Sequence, residues 1–312
     1  RRCHMKNSYV DFTNLTFTKF MKKITFVLSK QTMDFIMKQS LLFIFLILNV
    51  NAGLSANLHA ADLIHLDKSV LVDLGNTEFE SYNEGYGELT VREYELFTSE
   101  DENFSIGIWE AKRGEEVMDE PYPYNEFMYV LFGQMVVKNS DGQTIIFNPG
   151  QGFVTPKDWM GSFTITEDLA IIYAIDGLKQ TKNDGPIDLV EINDARVSAY
   201  DLGDFEPYYP EYSNLLARGI TLFSNQDESF QVGIWESTSG SIPASAEYFH
   251  GYHEFMYPLS GSIKLSHING QVSVTSPGEG VLVPSNWEGE FAVPEGVLKI
   301  WISYTETATT KK

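Results

Sequence analysis

Five side chains able to bind a ligand or move a proton fall within seven residues: Tyr248, His250, Tyr252, His253 and Glu254. A carboxylate four positions from an imidazole can serve as a general acid or base, or can share a hydrogen bond with it. Glu254 is therefore the catalytic candidate, and Glu126 its counterpart earlier in the chain. The hydroxyls of Tyr122, Tyr124, Tyr129, Tyr248, Tyr252 and Tyr257 add an aromatic lining with polar tips, which suits a small polar ligand. Tyr248, His250, Tyr252 and Trp287 are the ligand-binding candidates. The plain alternative for His250 is a pocket histidine bonded to a tyrosine or to Glu254. Core packing is the first explanation for Trp109, Trp159, Trp235 and Trp287, and a pocket wall the second. His267, two residues before Asn269-Gly270, reads as a solvated side chain. No serine elbow, phosphate loop or dinucleotide fingerprint is present.

The elements that must position these residues occur twice. Glu126-Phe-Met-Tyr-Val-Leu-Phe-Gly133 returns as Glu254-Phe-Met-Tyr-Pro-Leu-Ser-Gly261, an acid leading into a buried strand that a glycine ends. Asp141-Gly142 and Asn269-Gly270, Pro149-Gly150 and Pro277-Gly278, Pro156 and Pro284, and Trp159 and Trp287 follow at a constant offset of 128. Upstream, Leu96-Phe97 and Gly107-Ile-Trp-Glu110 return at 126 as Leu222-Phe223 and Gly233-Ile-Trp-Glu236, so two residues enter the second copy between Gly240 and Glu254. A fixed long period marks a duplication. Short runs such as 105–109, 134–137, 144–147, 263–266 and 272–275, separated by Gly, Pro, Asn or Asp, predict an all-β chain with type I′ turns at Asp141-Gly142 and Asn269-Gly270. The two halves, 61–183 and 184–312, should form the same barrel, with 179–186 as linker.

Within the 312 residues, 43% hydrophobic, residues 1–52 carry eight Lys or Arg against Asp11 and Asp34 alone. The remainder holds 14 basic and 41 acidic side chains, a surface that repels phosphate backbones, so nucleic acid is not the partner. The lone cysteine, Cys3, lies in the leader, so the body has neither disulfide nor thiolate nucleophile. Met37-Lys-Gln-Ser, ten nearly unbroken apolar residues from Leu41 to Val50, and the Val50/Ala52 pair read as a signal peptide over about 37–52. Ten residues are too few to span a bilayer, which needs about 20, so no stable membrane anchor is expected. The localisation implied is periplasmic or secreted, with residues 1–60 outside the fold. Homo-oligomerisation is left open.

Gly240-x7-Tyr248-x-His250-x3-Glu254-x6-Gly261 resembles the first cupin motif with a two-residue insertion, and Gly278-x5-Pro284 the start of the second. Glu126-x6-Gly133 and Gly150-x5-Pro156 stand in register in the first copy. With Gly-Ile-Trp-Glu before the first motif and Pro-x-x-Trp in the second, the chain over about 62–304 is most similar to the cupin subfamily named for ureidoglycine aminohydrolase. The resemblance implies two tandem jelly-roll β-barrels. It also implies a divalent transition metal (Mn, Fe, Ni or Zn) in the C-terminal barrel, held by His250 and Glu254, with release of ammonia from a ureido-amine as the activity. The four ligand slots hold Tyr248, His250, Glu254 and Gly289 in the second copy, and Glu120, Tyr122, Glu126 and Gly161 in the first. The first barrel is therefore expected to be metal-free. A non-catalytic ligand-binding or structural cupin, and one acting on sugar fragments, are the alternatives.

Overall fold

The computed structural model describes residues 62–67, 70, 74–82, 89–118, 120–177, 188–212, 214–244 and 251–306. The signal segment at 37–52, the 179–186 linker, Tyr248 and His250 lie outside the described residues. In chain order the first copy contains β1 (Ile64–Leu66), β2 (Glu80–Tyr82), β3 (Leu89–Thr98), β4 (Phe104–Ala111) and β5 (Gly114–Val117). It continues with β6 (Asn125–Asn139), β7 (Thr144–Phe147), β8 (Gly152–Thr155) and β9 (Gly161–Asp176). The second copy opens with β10 (Val190–Ile192), helix α1 (Asp194–Ala199), β11 (Glu206–Pro207), β12 (Leu216–Ser224), β13 (Phe230–Ser237) and β14 (Gly240–Ala244). It closes with β15 (His253–Gly261), β16 (Ile263–His267), β17 (Val272–Thr275), β18 (Gly280–Val283), β19 (Gly289–Val293) and β20 (Val297–Tyr304). The protein is all-β, as its alternating short runs require, and every described ladder is antiparallel.

The hairpins form where Asp-Gly and Asn-Gly predict them, but with a different turn. Only the glycines have positive φ, +91° at Gly142 and +89° at Gly270, so the turns are not type I′. The N–H of Asn139 bonds the carbonyl of Gln143, and that of His267 the carbonyl of Gln271, leaving three-residue loops that end on the left-handed glycine. The Asp141 and Asn269 side chains accept from the N–H of Gln143 and Gln271, each at 2.9 Å. That local bond favours the three-residue loop over the two-residue primed turn.

The copies also differ in continuity. β6 and β9 run through both sheets of the first barrel as one folded nine-stranded sheet. In the second barrel the equivalent strands break into β15/β16 and β19/β20, giving separate seven- and four-stranded sheets. Pro294 stands where the first copy has Thr166, and a proline cannot donate to the ladder.

Two features join the halves, which lie within a single compact unit. First, they exchange their leading strands: β1 pairs with β18 (Ile64 opposite Leu282), while β10 pairs with β8 (Val190 opposite Val154). Second, the outer faces of the two large sheets pack on each other through Phe104, Ile108, Phe127, Phe230, Ile234 and Ile302, all buried. Such side chains contribute roughly 1.5–3 kcal/mol each when fully buried. At one end of this junction Asp176 accepts from the side-chain amides of Asn103 (3.3 Å) and Asn125 (3.1 Å) in its own copy and Asn225 (3.0 Å) in the other. The opposite face of each sheet lines its own barrel, and there Tyr122 and Trp287 lie; Tyr129 and Tyr257, expected in the lining, instead meet at the junction with ring centroids 5.0 Å apart.

Candidate functional site

Glu254, near the start of β15, points into the C-terminal barrel and is buried. Its Oε1 accepts from the ammonium of Lys299 at 2.6 Å, and Lys299 is itself only 4% exposed. Lys299 sits in mid-β20 on the face shared with Trp301 and Ser303; its Nζ lies 4.8 Å from the Trp235 ring centroid and 5.5 Å from that of Phe291. Burial pulls the lysine's proton affinity down, and the Glu254 carboxylate opposes the shift. Tyr208 and Tyr252 stand close by; burial and then the Glu254 charge push both phenols up, so both remain neutral hydrogen-bonding groups.

Beside this pair opens a cleft of about 570 Å³, walled by Tyr208, Trp235, Tyr252, Trp301, Gln231 and Ser303. Its floor is set by two glycines. A Cβ on Gly233 would meet the Trp301 ring at 2.5 Å, so the indole lies against the strand and turns a face to the cleft. The first barrel has the same floor, with Tyr173 against Gly107, but there the tyrosine hydroxyl donates to Glu93. Gly219 occupies the position of Glu93 in the second copy, and the space a carboxylate would fill is cleft.

The centre of the N-terminal barrel holds Tyr122 and Glu126, the phenol donating to the carboxyl. Burial pushes Glu126 up to about 8; the Tyr122 bond opposes this, while the Glu116 and Glu93 carboxylates push the same way. Half-buried Glu116 is raised to about 7 by burial. The position equivalent to Lys299 is Ile171: Trp109 pairs with Ile171 as Trp235 pairs with Lys299. The same strand position thus carries a carboxyl without a cation in one barrel and a carboxylate with one in the other.

Of the sequence candidates, Glu254 and Tyr252 come together at the cleft. Trp287 is fully buried in the barrel core, away from the cleft wall, which Trp235 and Trp301 form instead. The Trp287 ring fills the space beside Gly289, where a Cβ would meet it at 2.5 Å. His267 is buried, a correction to the solvated reading: its Nδ1 accepts from the N–H of Asn269 at 3.0 Å and its ring meets Trp287 edge-on. His253 faces the inter-barrel side, as alternation from Glu254 predicts, with its ring 4.8 Å from that of Phe97. Lys299 was missed. Its signal is a cation inside the apolar run Val297-Leu-Lys-Ile-Trp-Ile302, opposite an isoleucine at the duplicate position.

The described donors do not fit a transition metal. Glu254 is engaged by an ammonium, and the fourth slot is a glycine covered by an indole in both copies. Among the described residues no three His, Cys, Asp or Glu side chains are grouped to hold an ion, and no helix is long and apolar enough to cross a membrane.

Antiparallel strands folded into a barrel, and that barrel duplicated, define a two-barrel cupin fold. Residues 98–170 match the family model described as the EutQ-like cupin domain. Solved structures agree on the fold. A protein of unknown function from Pseudomonas syringae pv. tomato str. DC3000 is similar at 19% identity and a TM-score of 0.57, covering 77% of this chain and 98% of its own. A putative glyoxylate-induced protein from Pseudomonas aeruginosa gives 14% and 0.56, over 84% and 97%. A cupin 2 conserved barrel domain protein from Leptotrichia buccalis gives 14% and 0.51, over 80% and 99%. Comparison with curated proteins found no match.

Proposed function

We propose that the C-terminal barrel binds a small polar metabolite in the cleft over Trp301, with Glu254 and Lys299 at its inner end. The observation that carries this reading is the exchange of Glu93–Tyr173 for Gly219–Trp301, which opens in one barrel a space filled in the other. An indole face ringed by Gln231, Ser303, Tyr208 and Tyr252 suits a ligand with an apolar face and polar edges. The test is tryptophan fluorescence titrated with N-carbamoylglycine as the ureido probe and glucose as the sugar probe. We expect one of the two to quench the parent, and Gly219→Glu to weaken that binding at least ~10-fold; because its Cβ would also press on the Ile234 carbonyl at 2.7 Å, an unchanged melting temperature is required for the loss to count as cleft filling. A parent that responds to neither probe would refute the reading and leave a structural cupin. Metal content, measured on protein purified without a His tag, addresses the rival. A stoichiometric transition metal would mean that Lys299 yields Glu254, and would support metal-assisted release of ammonia of the ureidoglycine aminohydrolase kind.

The protein, in this proposal, works outside the cytoplasm, in the periplasm or secreted. The support is the charge and apolar pattern of residues 37–52. Terminal sequencing of the exported product is expected to begin at Gly53; a product that keeps Leu41–Val50 refutes export by cleavage.

A further inference from the structure

We propose that Lys299 is an amine nucleophile that forms an imine with a small aldehyde or ketone admitted to the C-terminal cleft, with Glu254 carrying the proton. The inference rests on reading the cleft as a ligand site, and it adds a covalent step to it.

Three observations converge on the lysine. Its strand position does not need a cation to fold, because Ile171 fills the same place in the duplicate barrel with the same tryptophan opposite. Lys299 lines the cleft, with its amine 4.8 Å from the Trp235 ring centroid and 5.5 Å from that of Phe291, and is buried rather than at the protein surface. Its hydrogen-bond partner is a carboxylate at 2.6 Å, close enough for direct proton exchange. A lysine desolvated among apolar groups is the form in which this side chain acts as a nucleophile. The cation beside Glu254, which the cupin resemblance would supply as a metal, is thus an amine of the chain itself.

The step balances without a further reactant. Glu254 takes a proton from the ammonium, and the freed Nζ lone pair attacks the carbonyl carbon while the oxygen takes up that proton through Glu254. Loss of the carbinolamine hydroxyl as water, with a second proton relayed by Glu254, leaves C=N in place of C=O. The protonated imine keeps the single positive charge near Trp235 and Phe291. A delocalised iminium is less hydrated than an ammonium, so the aromatic faces suit it at least as well.

The experiment uses the full chain with glycolaldehyde and sodium cyanoborohydride, followed by peptide mapping of each lysine against time. Lys299 should be reductively alkylated at least ~10-fold faster than exposed Lys138 and ion-paired Lys112, despite being the more buried. Glu254→Gln should slow labelling at Lys299 and leave Lys138 unchanged. Lys299→Arg, which keeps the charge beside Glu254, should lose the fast site altogether. Labelling of Lys299 no faster than Lys138 overturns the proposal. If the probes of the cleft still quench tryptophan fluorescence in that case, the ligand site stands and only the imine fails; if they do not, the cleft reading has failed as well. Fast labelling that survives Glu254→Gln unchanged would remove Glu254 from the step.

Discussion

Glu126→Gln is expected to stabilise the protein by roughly 2–4 kcal/mol at pH 8 and by little at pH 5. The folded-state pKa of Glu126, about 8, stands above its ordinary 4.5, so the folded protein holds a proton that the unfolded chain releases. A raised pKa contributes stability that is fully present below about 4.5 and is lost as pH rises through about 8. Above that, the fold must bury an unpaired carboxylate or open to release it. A neutral glutamine removes the charge, and its amide oxygen can still accept from the Tyr122 hydroxyl. Glu116, raised to about 7, and Asp176, raised to about 6, act with the same sign. The parent should therefore melt at a higher temperature at pH 5 than at pH 8, the reverse of ordinary acid denaturation. Calorimetry across that range checks both statements: Glu126→Gln should flatten the profile, and a variant curve parallel to the parent's would mean that Glu126 is ionised throughout.

The parts of the fold that local chemistry dictates were legible in the sequence. The runs at 144–147 and 272–275 are β7 and β17, because alternation and flanking turn residues act within a few positions. The resemblance placed Tyr122 and Glu126 in neighbouring ligand slots of the first barrel, and there the phenol donates to the carboxyl. Partner choice did not. Ile64–Leu66 and Val190–Ile192 look alike, and nothing within either says that each pairs with the other copy; Ile64 meets Leu282 across more than two hundred residues. The turn type was misjudged because an Asp or Asn side chain that bonds two residues on competes with the primed turn. The site was half legible. Glu254 and Tyr252 carry recognisable chemistry, whereas Gly219 and Trp301 matter only through what stands at Glu93 and Tyr173 in the other copy. Lys299 was hidden by its own strand: a lone cation in an apolar run reads as an edge residue until the structure puts a carboxylate beside it.

Lys299→Ile, which installs the residue found at the duplicate position, is expected to cost roughly 3–5 kcal/mol at pH 8, because it strands a buried Glu254. Isoleucine fits the equivalent strand position in the first barrel, where Ile171 is buried opposite Trp109 as Lys299 is opposite Trp235, so the loss comes chiefly from the charge. Glu254 would then face the situation of Glu126, and protonation would offer it the same escape. The penalty should accordingly shrink by more than half between pH 8 and pH 5. Glu254→Gln alone leaves a buried ammonium with a neutral acceptor and should be destabilising at both pH values. The double variant removes both charges, and its stability should return to within about 1 kcal/mol of the parent, since an ion pair out of water contributes little beyond what apolar packing gives. Denaturant melts of the four proteins at the two pH values close the cycle. A coupling below about 1 kcal/mol would mean that water screens the pair, and that Lys299 is a cleft-edge residue with no hold on Glu254. A strong coupling with a double variant as stable as the parent would mean that the fold has no need of the pair, leaving the chemistry of the cleft as the reason a lysine stands there.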